Sequence, residues 1–204
     1  TPTGSGKTNL SFIAANEILK NNNIKKIFYV FPFTTLITQT FQGLKETFLL
    51  NSDELAEIHS KASIQRSNNE SEEYKESEYI NYLFNNYPIS LISHIKFFDI
   101  LKSNDKQSND LLCSLSNSLI IIDELQSYPP KEWDKIIFFI YNFSKYLNIR
   151  FIVMSATLPR IDSISSIEKN CFIDLIPDFR DYYSNPNFNK RVEFDFSIFQ
   201  MGII

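Results

Sequence analysis

The chain has 204 residues, of which 43% are hydrophobic and 15% are aromatic. This composition supplies a substantial core and excludes global disorder. Twenty basic residues against 24 acidic ones give a net charge of −4. The overall charge therefore does not point to nucleic acid, and binding to it would need local groups.

The cysteines and the apolar runs indicate the compartment in which the protein works. Cys113 and Cys171 lack metal-ligand spacing and fit a reduced cytoplasmic protein better than a disulfide scaffold. No apolar run reaches membrane-spanning length, and no signal peptide is recognisable. We therefore expect a cytoplasmic protein without a membrane partner.

The pattern of apolar residues alternates strands and helices along the chain. Strands are predicted at 24–33, 55–60, 89–93, 118–124 and 150–156. Helices are predicted at 34–50, 70–86, 94–102 and 131–148, and a polar loop at 103–110. The last two strands are apolar on both faces. The sequence therefore predicts an α/β fold with a mostly parallel sheet and helices on both faces.

The chain opens with TPTGSGKT, which nearly fits the phosphate-binding loop G-x-x-x-x-G-K-S/T, with Thr1 at the usual first glycine. Glycines in such a loop let backbone amides point at phosphate oxygens, and the positive end of the next helix adds to this. Six residues are predicted to bind the nucleotide: Thr3, Gly4, Ser5, Gly6, Lys7 and Thr8.

Within this loop, Lys7 would reach the β- and γ-phosphates of ATP, and the Thr8 hydroxyl would bind Mg²⁺. An apolar helical pattern follows the loop, as this interpretation requires. The alternative is a glycine- and serine-rich turn that caps a helix. The strand that should precede a phosphate-binding loop is not in the sequence.

Asp123 and Glu124 follow the predicted strand 118–124 at its carboxyl end, where parallel sheets bind ligands. Two adjacent buried carboxylates need positive charge nearby. The pair predicts that Asp123 holds Mg²⁺ and that Glu124 is the general base for an attacking water. The alternative is a solvated strand end.

A third segment, Ser155-Ala156-Thr157, ends the strand 150–156. Its hydroxyls would bond to the Asp123-Glu124 loop and sense the state of the nucleotide. By itself such a segment is an ordinary turn. It supports a functional site only because it follows the other two motifs along the chain and lies at a strand end.

Taken together, TPTGSGKT, DELQ and SATLP resemble motifs I, II and III of superfamily-2 helicases. The resemblance implies the first of two RecA-like lobes of the P-loop NTPase class. It also implies that ATP binds between the lobes and that nucleic acid runs across both. Gln126 stands where many relatives have His, and we expect it to hydrogen-bond toward phosphate or toward Ser155 and to assist catalysis.

Softer similarities in YVFPFTTLITQT (29–40), EIHSKAS (57–63) and PISLISHIKFFDIL (88–101) resemble the CRISPR-associated helicase–nuclease of type I systems. This family implies translocation along single-stranded DNA with ATP, recruitment by Cascade and cutting by an HD nuclease domain. We expect residues 1–160 to form the lobe without its first strand. We expect 161–204 to end it and lead toward a second lobe, which is absent here, as is the HD domain.

Nucleic-acid contacts are predicted at Thr34, Thr35, Ser93 and His94, which follow two strands. The alternative for Thr34 and Ser93 is helix capping, and for His59 and His94 a structural role. Two other functions stay open. The first is an RNA helicase or another superfamily-2 translocase. The second, for the isolated chain, is a nucleotide-binding module without turnover.

Overall fold

In a computed structural model of the chain, the described residues are 6–51, 53–58, 86–103, 105–155, 172–175 and 184–186. Five strands are present in this part: β1 (Lys26–Phe31), β2 (Leu55–Ile58), β3 (Ile89–Ser93), β4 (Ser118–Ile122) and β5 (Arg150–Val153). Five α-helices accompany them: α1 (Lys7–Asn21), α2 (Thr34–Phe48), α3 (His94–Lys102), α4 (Lys106–Leu115) and α5 (Trp133–Leu147). The helix predicted at 70–86 lies almost entirely outside the described residues.

The strands form one sheet in the order β2-β3-β1-β4-β5, and every pair is parallel. β1 lies at the centre, with Phe31 paired to Ser93 of β3 and Val30 paired to Ile122 of β4. All five residues of β4 are buried, because helices cover both of its faces. The predicted α/β fold with a parallel sheet is therefore confirmed.

Alternate residues of β1 pack on opposite faces of the sheet, which is the two-residue period of a strand. Phe28 and Val30 belong to a core that includes buried residues of α3, α4 and α5. Tyr29 and Phe31 belong to a second core that includes Ala15 of α1 and residues of α2. Helices therefore lie on both faces, as predicted.

The chain leaves neighbouring strands toward opposite faces. After β1 it enters α2 on one face, whereas after β3 and β4 it enters α3 and α5 on the other. Such reversals open crevices beyond the carboxyl ends of parallel strands, where ligands bind. β1 thus has one crevice on its β4 side and one on its β3 side.

The prediction of a loop at 103–110 is wrong, because α4 begins at Lys106. Asp105 is its N-cap, and the Asp105 carboxylate accepts hydrogen bonds from the backbone amide (2.9 Å) and hydroxyl (2.7 Å) of Ser108. Leu111 and Leu115 then anchor the helix in the core. Polar residues at a helix start resemble a loop in sequence, because the residues that favour N-caps also favour turns.

Among the described helices, none has the length and apolar character needed to cross a lipid bilayer.

Candidate active site

Gly6 is the last residue before α1, and its backbone is left-handed, with φ 80° and ψ 34°. A side chain at this position would be strained, so glycine is needed for a backbone reason. The Gly6 carbonyl accepts the first helical bond, from the Leu10 amide at 3.0 Å. The first turn of α1 has no acidic residue, so the positive helix end is not neutralised there. Thr3, Gly4 and Ser5 lie outside the described residues.

The acidic turn after β4 is fixed by backbone bonds to both neighbouring strands. The Asp123 amide donates to the Val30 carbonyl at 3.0 Å, and the Leu125 amide donates to the Met154 carbonyl at 3.1 Å. Between them, Glu124 is left-handed, with φ 52° and ψ 51°. A non-glycine residue in this region stores of order 1 kcal/mol, and such strain is found at functional sites.

Lys7 supplies the positive charge that the acidic pair requires. Its Nζ lies 2.7 Å from Oε1 of Glu124, and the two side chains are only 12% and 30% exposed. Partial burial pushes the pKa of Glu124 up, but hydrogen bonds from Lys7 and Gln126 and the Lys7 charge outweigh it. The net pKa of Glu124 is lowered, so its carboxylate is ionised and a weak base while paired with Lys7.

Asp123 is buried, with 8% of its surface exposed. Burial raises the pKa of Asp123 first, and the neighbouring Glu124 charge raises it further. The Glu124 amide, which donates to Asp123 Oδ1 at 2.9 Å, then the Lys7 charge and the Tyr29 hydroxyl lower the pKa only in part. Asp123 therefore lacks a full counter-charge, and a cation beside it would supply one.

Tyr29 lies close to this carboxylate, and Asp123 is near enough to act as a weak partner, but the buried Tyr29 hydroxyl makes no hydrogen bond of good geometry with the described residues. Burial, and then the Asp123 charge, raise the pKa of Tyr29, so it stays a protonated phenol. The side chains of Ser11 and Thr8 are also close enough to influence it. A buried hydroxyl that lacks a well-formed hydrogen bond can also bond to a water or a hydrated ion at this place.

These groups fit Mg²⁺, which typically binds one or two protein oxygens and completes its shell with phosphates and water. Thr8 offers a hydroxyl and Asp123 a carboxylate, and the Tyr29 hydroxyl lies near both. Within the described ranges no cluster of three or more His, Cys, Asp or Glu residues forms an all-protein metal cage. A cation held partly by its substrate does not need such a cage.

A chain of side-chain hydrogen bonds leads from Glu124 to the end of β5. Gln126 donates through Nε2 to Glu124 Oε2, and the Ser155 hydroxyl donates to Gln126 Oε1. Ser155 is buried, with 5% of its surface exposed. The amide of Gln126 thus links the acidic turn to the segment that follows β5. Ala156 and Thr157 lie outside the described residues.

The hydroxyls predicted to contact nucleic acid have different positions. Thr34 and Thr35 are exposed at the start of α2, whose N-cap is Phe33, so the capping alternative for Thr34 is wrong. Ser93 is buried, and its hydroxyl accepts from the Lys96 amide at 3.3 Å. The capping alternative is therefore confirmed for Ser93.

His94 is an interior residue, with 5% of its surface exposed. Its ring stacks on Tyr128 with centroids 4.2 Å apart. Burial lowers the pKa of His94 to about 4. A hydrogen bond with the backbone of Asp123 raises the pKa, but by less than burial lowers it. The ring is neutral near pH 7 and covered, which does not agree with a direct contact between this side chain and nucleic acid. The structural alternative for His94 fits better.

Sequence reasoning missed Tyr29 and Tyr128 as parts of the site. Tyr128 follows DELQS directly, and its carbonyl accepts from the Trp133 indole at 3.0 Å. A phenol next to the acidic motif was the available signal for Tyr128. Tyr29 lies in an apolar run and had no such signal, because its place under Asp123 depends on strand pairing.

Comparison with known proteins agrees with this geometry. Residues 1–164 match the DEAD/DEAH box helicase family. The chain is similar to the CRISPR-associated nuclease/helicase Cas3 of Haloferax volcanii, with 27% identity over 190 residues, 85% of this chain and 20% of that protein. It is also similar to putative helicase 22 of a Sulfolobus islandicus filamentous virus, with 46% identity over 61 residues, 28% of this chain and 11% of that protein. The chain spans a fifth or less of these relatives.

The fold is similar to two crystal structures of another Cas3. T. fusca Cas3-ATP gives a TM-score of 0.61 with 19% identity, covering 78% of this chain and 18% of that chain. T. fusca Cas3-ADP gives a TM-score of 0.61 with 20% identity, covering 80% and 18%. The fold is therefore similar to that of a RecA-like helicase lobe. The chain belongs to the DEAD/DEAH box helicase family.

Proposed function

We propose that this member of the DEAD/DEAH box helicase family binds ATP with Mg²⁺ and hydrolyses it to drive movement along single-stranded nucleic acid. The observation that carries the proposal is the continuous contact chain Lys7–Glu124–Gln126–Ser155 at the carboxyl ends of β4 and β5. It joins a phosphate-binding lysine, a carboxylate base and a third strand end in one site.

The residues around α1 divide the work of holding the substrate. The Lys7 ammonium and the free amides at the start of α1 bind the ATP phosphates, together with the backbone of Thr3, Gly4 and Ser5. Thr8 and Asp123 hold Mg²⁺, which neutralises phosphate charge when bound. Burial, and then the Glu124 charge, raise the pKa of Asp123, and a cation beside the carboxylate would favour its ionised form.

Glu124 acts as the general base. While Lys7 is paired to it, the pKa of Glu124 is lowered and its affinity for a proton is weak. When Lys7 turns to the phosphates of ATP, Glu124 loses that partner and becomes a better base. It then orients the attacking water and accepts its proton. The pairing thus keeps the base inactive until the substrate arrives.

Gln126 and Ser155 couple this event to movement. A change in the position of Glu124 alters its bond with Gln126, and Gln126 passes the change to Ser155 and the following Ala156 and Thr157. Thr34 and Thr35, exposed at the start of α2, bind the phosphates of the nucleic acid.

The similarity to Cas3 over 85% of the chain favours a finer role. We propose that the complete protein moves on single-stranded DNA in CRISPR antiviral defence, in the cytoplasm. It would be recruited by a Cascade-type complex and work with an HD nuclease. Residues 1–160 would then be the first lobe, and 161–204 its end and the link to a second lobe.

Variants of the full-length protein test the proposal. We expect Glu124→Gln to bind ATP but hydrolyse it at least about 100-fold more slowly, because a general base contributes about 10²–10⁴-fold. Lys7→Ala should weaken ATP binding. The measurements are nucleotide binding by fluorescence and steady-state phosphate release with single-stranded DNA or RNA added.

The matched controls are Glu17→Gln and Lys20→Ala, which remove an exposed ion pair, 2.8 Å apart, on the same helix. They should keep wild-type hydrolysis. Normal turnover by Glu124→Gln would refute the assigned base. Stronger stimulation by RNA than by DNA would replace the DNA motor with the alternative RNA helicase.

A further inference from the structure

Two large apolar side chains are exposed beyond neighbouring strands. Phe33 is 62% exposed and Ile95 is 73% exposed. Phe33 follows β1 by two residues, and Ile95 follows β3 by two residues. The ends of these strands, Phe31 and Ser93, are paired in the parallel ladder. Phe33 and Ile95 therefore both lie just beyond the carboxyl ends of two paired strands, at the same edge of the sheet.

These residues border the crevice on the β3 side of β1. α2, which starts after Phe33, packs on the Tyr29 face of the sheet, and α3, which carries Ile95, packs on the opposite face. The two helices diverge at this point, so the chain ends bordering the crevice stay uncovered. Crevices of this kind are where parallel sheets bind ligands.

The crevice is electrostatically suited to an anion. Neither α2 nor α3 has an acidic residue in its first turn, so no carboxylate there offsets the positive helix ends, although the Ser93 hydroxyl caps α3. Thr34 and Thr35 add exposed hydroxyls beside Phe33. Single-stranded nucleic acid matches both features, because it carries negative phosphates and flat apolar bases.

We propose that Phe33 stacks on a base of bound single-stranded nucleic acid, with Ile95 packing beside that base. The adjacent phosphate then lies against Thr34, Thr35 and the start of α2. This inference rests on the proposed motor function and adds to it a base contact. Stacking does not depend on base identity, so the contact serves a protein that moves along any sequence.

The test measures binding of the full-length protein to two labelled probes by fluorescence anisotropy. One probe is oligo-dT, and the other has the same length and backbone but is abasic. We expect Phe33→Ala to weaken oligo-dT binding about tenfold, since one aromatic stack contributes about that factor. Binding to the abasic probe should not change, because it has no base to stack.

Three further variants identify the type of contact. Phe33→Tyr should keep oligo-dT affinity because it keeps the ring, whereas Phe33→Leu should lose most of it. Phe138→Ala is the matched control, because Phe138 is 53% exposed on α5 and belongs to neither strand end. The salt dependence of binding should be the same in all variants, because none changes a charge.

Equal loss on both probes, or full affinity in Phe33→Leu, would overturn the stacking assignment. If the wild-type protein binds neither probe, the motor function itself fails. If it binds oligo-dT and Phe33→Ala binds as tightly, only the stacking inference fails.

Discussion

Replacing His94 with Phe should remove a pH-dependent part of the stability. In the fold the ring is buried against Tyr128, and burial lowers the pKa of His94 from 6.5 to about 4. The unfolded chain takes up a proton near pH 6.5, but the folded chain does not until about pH 4. The contribution of the neutral His94 ring to the free energy of unfolding is therefore fully present above about pH 6.5 and is lost as the pH falls toward 4.

The magnitude follows from the difference between the two pKa values. Each pKa unit corresponds to about 1.4 kcal/mol, so the full contribution of His94 is about 3 kcal/mol. About 2 kcal/mol of it should be lost by pH 5. His94→Phe keeps the stack on Tyr128 and has no titrating group, so its free energy of unfolding should fall much less over this range.

Urea unfolding of the chain at pH 7.5, 6.5, 5.5 and 5 measures this difference. Trp133 is the only tryptophan, and it bonds to the Tyr128 carbonyl, so its fluorescence reports on the same region. The pKa of Asp123 is raised, which acts in the opposite direction, but Asp123 is present in both proteins and cancels in the comparison. Parallel pH profiles for wild type and His94→Phe would refute the buried neutral histidine.

Four substitutions at three positions test helix contributions to stability. Asp105→Ala should lower the thermal midpoint of unfolding because α4 loses its cap. Asp105→Asn should keep a midpoint close to that of the wild type, because asparagine can also cap a helix. Equal midpoints for the two variants would contradict the capping assignment. Gly43→Ala should raise the free energy of unfolding by about 0.5–1 kcal/mol, because Gly43 is exposed inside α2 and an added Cβ meets no atom within 4 Å. Gly6→Ala, the same change at φ 80°, should lower it, and the same sign in both would refute the backbone argument.

The sheet and the meeting of Lys7 with the acidic turn were predictable because their signals are local. Strands that are apolar on both faces need helices packed on both faces of the sheet. The carboxyl ends of parallel strands all lie at one edge of that sheet. Lys7 and Glu124 are 117 residues apart, but both belong to segments that reach this edge. Their contact therefore follows from topology and opposite charge.

The remaining features depend on packing that the sequence does not signal. The side chain of His94 was predicted to contact nucleic acid, but its burial is set by Tyr128, which comes from a different segment of the chain. α4 was missed because Asp105 and Ser108 look like loop residues. The exposure of Phe33 could not be predicted either, since an aromatic residue after a strand usually adds to the core.

The left-handed backbone at Glu124 explains how a buried strand can end in two acids. The Asp123 amide still belongs to the ladder with β1, but the Leu125 amide must turn back to Met154 after β5. One residue has to reverse the chain between these two bonds, and Glu124 does so at φ 52°. Because both neighbours are fixed, the Glu124 carboxylate is held between Lys7 and Gln126 by the backbone as well as by its partners. In the proposed mechanism, the backbone of Glu124 therefore stays in place when Lys7 turns to phosphate, and only the carboxylate group and its pKa change.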